Sequence, residues 1–166
     1  MTGAVVWITG LPSAGKSTLA RRVKSRLDAA RRAAAVLDGD DVRDALRPAP
    51  GFDPGARAAF YATLARLAAL LARQGLVAIV AATSHRRAFR EEARALAPRF
   101  VEVFVDVPAD ACATRDPKGL WARARAGGAP ELPGAGPGYE RPERPEVVAL
   151  GGDDLRAVEA IASLVG

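Results

Sequence analysis

The 166-residue chain has a single cysteine, Cys112. That excludes an internal disulfide framework and fits a reducing compartment such as the cytoplasm. It has no run long and apolar enough to span a bilayer. The richest stretch, residues 64–82, is broken by Arg66, Arg73 and Gly75, so no membrane partner is expected. No leader is expected either, because the N-terminus runs directly into an apolar, strand-like segment. Acidic residues are the scarcer charge, 19 against 24 basic, for a net charge of +5. The surplus is nearly all arginine and is dispersed through a chain rich in Ala, Gly and Pro. It therefore reads as compositional bias plus cations for small anionic molecules, not as a nucleic-acid surface. The length suits one domain, residues 1–166, with a sizeable core.

What the chain does have begins at "GLPSAGKST", Gly10 to Thr18. Gly10, four residues and then Gly15-Lys16-Ser17 is the Walker A spacing. Each position has a physical task. The glycines let backbone N–H groups approach phosphate oxygens. Lys16 brings a point charge to the terminal phosphates, and Ser17 can place its hydroxyl on Mg²⁺. Leu11, Pro12, Ser13, Ala14 and Thr18 complete the loop. The flanks agree with this reading. "AVVWI" (Ala4 to Ile8) is apolar without alternation, as a buried parallel strand is. Residues 17–32 form an amphipathic helical pattern with Leu19, Val23 and Leu27 on one stripe, and a helix start favours anions.

Further along, strand patterns fall at residues 33–40, 76–83, 100–107 and 146–150, and 76–83 is the most apolar and is expected to be central. Helical patterns fall at 55–75, with Leu64, Leu67, Ala68 and Leu71 as its apolar face, at 86–96, from 109 to 115, and at 153–165, the last opening on an Asp cap. Alternating strands and helices predict an α/β fold: a three-layer P-loop NTPase sandwich around a mostly parallel sheet. Ligands of such sheets bind beyond the carboxyl ends of the strands. That edge collects the phosphate loop, Asp38 and Asp40, Thr83 and Ser84, and Asp106. Between Gly127 and Pro145, Gly and Pro recur every few residues. With Arg115, Lys118, Arg123 and Arg125 just before, the region about 115–146 reads as a lid over an anionic ligand.

"LDGDDVRDAL" sets Asp38, Asp40, Asp41 and Arg43 after the second strand. Asp41 reads as a solvated turn or cap. Asp38 and Asp40 suit a base on an attacking hydroxyl or a Mg²⁺ ligand, as phosphoryl transfer requires. Arg43 can grip an anionic acceptor in a bidentate contact.

Taken together, the loop, "DGDxVR", "FVEVFVDVP", "CxxRDPKGLW", "ARAG" and "YERPERPE" make nearly the whole chain resemble the adenylylsulfate kinases. Those enzymes use MgATP to phosphorylate the 3′-hydroxyl of adenosine 5′-phosphosulfate (APS). The resemblance implies that Gly10 to Thr18 bind ATP and Mg²⁺, with Ser17 and Asp38 as metal ligands. Lys16 and Asp40 act in catalysis, and Arg115 lies near the ATP base. Arg43 and Arg57 contact the phosphosulfate, Phe52 stacks on the acceptor adenine, and Lys118 comes from the lid. Thr83 and Ser84 line the acceptor, Ser84 also being a candidate for covalent catalysis. It further implies a homodimer.

The acceptor side departs from the family pattern. "GFSxxDRxxNIRR" becomes "GFDPGARAAFYAT", which keeps Phe52 and Arg57 but sets Phe60, Ala62 and Thr63 where Asn, Arg and Arg are usual, and Phe60 then lines the acceptor pocket, where it can fill the space an adenine needs. "ISPYR" becomes "TSHRR", introducing His85 and Arg86 either as replacement contacts or as solvated helix-start residues. "FTGI" becomes "LPGA", so Leu132 replaces an aromatic wall. Cys112 and Trp7 read as core, and Trp121 as a lid anchor. Three functions follow: an APS kinase, a kinase of another nucleotide or small phosphorylated metabolite, or a nucleotide-binding module with little catalysis. Retention of Lys16, Ser17, Asp38 and Asp40 weighs against the third.

Overall fold

The structure is a computed structural model and describes residues 1–127 and 138–166. Five strands form one wholly parallel sheet: β1 (Ala4–Thr9), β2 (Ala34–Asp38), β3 (Val77–Ala81), β4 (Phe100–Val105) and β5 (Val147–Ala149), in the order β2-β3-β1-β4-β5. The centre is therefore β1 and not the more apolar 76–83 segment, although β3 beside it is equally buried. Seven helices complete the described residues: α1 (Lys16–Ala29), α2 (Gly39–Ala45), α3 (Pro54–Arg73), α4 (Arg87–Leu96), α5 (Ala109–Arg115), α6 (Leu120–Arg125) and α7 (Leu155–Val165).

Helices cover both faces of the sheet, which is why its strands are apolar without alternation. On one face Ala4, Val6 and Ile8 pack with Leu19, Val23 and Leu27 of α1 and with Val158, Ile161 and Val165 of α7. On the other, Val5 and Trp7 meet Phe60, Leu64, Ala68 and Ala72 of α3 and Ala93 of α4. The α1 stripe thus faces the sheet, and of the stripe expected on α3, Leu64 and Ala68 are buried while Leu67 and Leu71 are only partly so.

The 33–40 segment is shorter as a strand than its pattern suggests. β2 stops at Asp38 because the Asp38 side chain turns back to accept from the Asp40 N–H at 3.0 Å and caps α2. The cap expected of Asp41 belongs to Asp38, and Asp40 sits inside the first helical turn. Asp53 caps α3 in the same way through Ala56 N–H, with Pro54 at the first helical position, and Asp154 caps α7.

Candidate active site

The phosphate loop leaves the carboxyl end of β1, as the parallel topology requires. Ser13 (φ 66°) and Gly15 (φ 102°) bend it through left-handed backbone into α1, the concave form that gathers N–H groups around an anion. Gly15 is held close from behind. A Cβ there would come 2.7 Å from the Gly152 nitrogen, and a Cβ on Gly152 would meet the Gly15 carbonyl and Thr18 Cβ at 2.8 Å. Gly152 was not singled out by sequence, although the Gly151-Gly152 pair ahead of the last helix was the available signal.

Both lysines of the site are engaged by the protein. Lys16 Nζ donates to the carbonyls of Gly10 (2.9 Å) and Leu11 (2.7 Å). The residue as a whole is only half-buried, yet its ammonium is turned inward. Desolvation there, seconded by Lys118 and opposed by Cys112 and Asp38, lowers its pKa to about 8. Ser17 Oγ hydrogen-bonds to Asp38 Oδ2, so one hydroxyl and one carboxylate meet at the helix start. That donor pair suits Mg²⁺, which takes one or two protein ligands beside phosphates and water. Lys118, between α5 and α6, forms an ion pair with Asp40, and both side chains are exposed. Arg115 is exposed in the last turn of α5.

On the acceptor side Arg43 stands between two rings. Its guanidinium carbon is 4.6 Å from the Phe52 centroid and 4.0 Å from that of Phe60. Burial lowers the Arg43 pKa, with Tyr61 opposing and Arg57 adding to the shift. Phe52 is 59% exposed and Phe60 only 3%. Phe60 is thus corrected from a pocket-lining group to the floor beneath Arg43. Its side chain belongs to the α3 core, because residues four and eight along the helix, Leu64 and Ala68, share that face. Leu132 lies outside the described residues, as does residue 128–137 of the expected lid.

Ser84 also needs correction. It is fully buried (0% exposed) at φ 40°. Its hydroxyl accepts from Trp7 Nε1 (2.9 Å) and lies 3.2 Å from Thr9 Oγ1, while its N–H donates to Tyr61 Oη. A hydroxyl so enclosed ties β1 to β3 and offers no open face for covalent catalysis. Thr83 is half-buried, and its carbonyl accepts from Thr9 Oγ1 at 2.6 Å. His85 is not a solvated helix-start residue: it is 5% exposed, set edge-on to Phe89, and its Nδ1 has no hydrogen-bond partner among the described residues. Desolvation, then Arg57 and Arg86, lower its pKa. Arg86 is exposed at the start of α4, the solvated one of its two readings. Asp106, at the same edge, pairs with Arg141 at 3.3 Å.

Two anchors join residues flanking 128–137 to the loop. Trp121, buried on α6, donates from Nε1 to the Pro12 carbonyl at 3.0 Å. Tyr139 Oη lies 2.7 Å from Thr9 Oγ1, the residue just before Gly10, and its ring stacks on Phe104. Burial pushes the Tyr139 pKa up to about 12, so it is a neutral phenol. Trp121 was legible as an anchor; Tyr139 opens the "YERPERPE" motif, but neither it nor Thr9 had a task assigned from sequence. Among the described residues no cluster of three or more His, Cys, Asp or Glu could hold a metal, and no helix is long and apolar enough to cross a membrane.

The family model described as adenylylsulphate kinase matches residues 2–150. The adenylyl-sulfate kinase of Aeromonas hydrophila is 42% identical over 97% of this chain and 80% of its own. The bifunctional enzyme NodQ of Azospirillum brasilense is 44% identical over 87% of this chain, which spans about a quarter of that protein's length, the match covering 24%. The Mycobacterium tuberculosis APS kinase CysC, solved in complex with AMPPNP and APS, superposes with a TM-score of 0.89 at 39% identity over 96% of both chains.

Proposed function

Since the chain belongs to the adenylylsulphate kinase family, we propose that it transfers the γ-phosphoryl group of ATP to the 3′-hydroxyl of APS. The products are ADP and 3′-phosphoadenylyl sulfate, the activated form of sulfate. The observation that carries this reading is the meeting of five groups at one sheet edge. Lys16 and Ser17 of the loop adjoin Asp38, and Asp40, paired with Lys118, follows two residues later in the first turn of α2.

The chemistry is direct displacement. Lys16 exchanges its two loop carbonyls for phosphate oxygens, a charge-assisted contact stronger than those it leaves. Ser17 and Asp38 would hold Mg²⁺, which when bound neutralises charge on the β- and γ-phosphates. Lys118 releases Asp40 as it turns to the nucleotide phosphates. The freed carboxylate orients the acceptor hydroxyl and takes its proton. Arg43 and Arg57 meet the anionic end of the acceptor, and Phe52 offers an exposed ring to its base. Residues 1–166 act as one kinase domain in this reading.

The test is a coupled ADP-release assay with MgATP and APS beside a panel of nucleoside phosphates and sugar phosphates. APS is expected to give the highest kcat/KM. Turnover with another acceptor and none with APS overturns the acceptor, and tight MgATP binding without any turnover overturns the kinase reading. Asp40→Ala, with nucleotide binding measured separately, should lose turnover and keep MgATP affinity. Unchanged turnover removes Asp40 as the base.

A further inference from the structure

Arg43 carries more than a single anion contact needs. It is half-buried on α2, with a hydrogen bond from Nη1 to the Gly51 carbonyl at 3.3 Å. Its planar cation fills a slot with unequal walls. Phe60 is fixed in the core, its ring edge-on to Tyr61 at 5.4 Å, whereas Phe52 is open to solvent. The guanidinium thus lies within cation–π reach of both rings at once, which a planar, delocalised arginine sustains better than a lysine ammonium.

We infer that the Phe52–Arg43–Phe60 stack selects the acceptor, with Phe60 as the residue that positions Arg43. The inference rests on the phosphotransfer reading above. In the free protein the guanidinium lies against the Phe52 ring on the side toward Phe60. A planar base takes that face by exchange, and Phe60 keeps hold of Arg43 by its other side, which leaves the charge beside the acceptor's anionic group. The ligand class follows from the exchange: an acceptor must bring both a flat aromatic base and an anion. A phosphorylated sugar brings the anion and nothing to replace the guanidinium on Phe52. Phe60, the departure from the family's Asn at this position, thereby compensates for part of the arginine lost at Ala62 and Thr63.

The experiment combines arginine side-chain NMR with kinetics. In the free protein the Arg43 Nε–H resonance, assigned by its loss in Arg43→Lys, should lie upfield of exposed arginines from the two ring currents. It should move back in Phe60→Leu and shift again on addition of APS. With ATP saturating, Phe60→Leu should raise the acceptor KM roughly three- to tenfold. The KM for ATP should stay within about twofold, and Phe60→Tyr, which keeps a ring beneath Arg43, should restore the acceptor KM. In an Arg43→Met background the same Phe60→Leu change should add less than about twofold, because the partner is already gone. An unshifted Arg43 resonance overturns the inference, as does a Phe60 effect that multiplies with that of Arg43. Should the wild-type chain show the shifted resonance yet not turn over APS, the proposed acceptor fails. The stack is then judged on its resonance and on whichever base-bearing nucleotide moves it.

Discussion

Raising the pH from 7 to 8.5 should weaken nucleotide binding and make it draw a proton from the buffer. The free Lys16 ammonium is turned onto two carbonyls inside the loop, and burial lowers its pKa to about 8. A triphosphate stabilises the charged form and moves the pKa back up, so binding takes up a proton wherever the free lysine is neutral. With that value, about a tenth of free Lys16 is neutral at pH 7 and about three quarters at pH 8.5. Affinity should therefore fall about fourfold over this interval if only the ammonium binds. Neighbouring groups do not confuse the signal. Burial raises the Cys112 pKa, so its thiol stays neutral, and the lowered pKa of His85 keeps its imidazole neutral above pH 7. The assay is calorimetric titration with Mg²⁺ and AMPPNP in two buffers of different ionisation enthalpy. The expected uptake is near 0.1 proton at pH 7 and about 0.75 at pH 8.5, abolished in Lys16→Met. Uptake below about 0.2 at pH 8.5, with unchanged affinity, refutes the reasoning. It would mean that the Gly10 and Leu11 carbonyls outweigh desolvation and keep Lys16 charged.

Three further outcomes follow from the packing around the loop. Trp121→Phe keeps a ring but leaves the buried Pro12 carbonyl without its donor, a loss of about 1–3 kcal/mol; steady-state kinetics should show the KM for ATP rising at least about fivefold with that for the acceptor unchanged. Gly152→Ala drives a methyl group into the Gly15 carbonyl and Thr18; nucleotide affinity by calorimetry should fall at least about tenfold while the far-UV circular dichroism is retained. Arg90 is 1% exposed and binds Glu102, the Ser84 carbonyl and the Glu140 carbonyl. Arg90→Leu removes the close partner of Glu102, leaving it only Arg94 at 3.9 Å, and should cost about 3 kcal/mol in urea unfolding, and Arg90→Leu with Glu102→Leu should cost less than the single change.

Much of this protein was legible before folding. Local patterns act over a few residues, and three of them were strong: apolar runs for buried parallel strands, the Gly10-to-Thr18 spacing, and the helical stripes of Leu19, Val23 and Leu27 and of Leu64, Leu67, Ala68 and Leu71. Together these determined the α/β architecture and the phosphate-binding end. The motifs after β2 and before α6 drew attention to Asp40, Arg43 and Lys118. What failed depended on long-range neighbours. Ser84 looked like a hydroxyl at the ligand edge. Only the crossing of β1 beside β3 shows that Trp7 and Thr9 enclose it. His85 looked solvated by its place at a helix start, yet packing against Phe89 buries it. Phe60 looked like an obstruction in the acceptor pocket, whereas the phase of α3 turns it into the core and makes it a seat for Arg43.

The sequence by itself determined which residues can hold phosphates, because that task needs a contiguous loop whose spacing is written in order. The tertiary structure decided how the free site is held: Lys16 on its own loop, Lys118 on Asp40, Arg43 between two rings, and Gly152 behind Gly15. Most of these contacts join residues far apart in the chain, and Lys16 finds its carbonyls only once the loop is bent. Their geometry comes from strand order, helix phase and burial, none of which a linear spacing records.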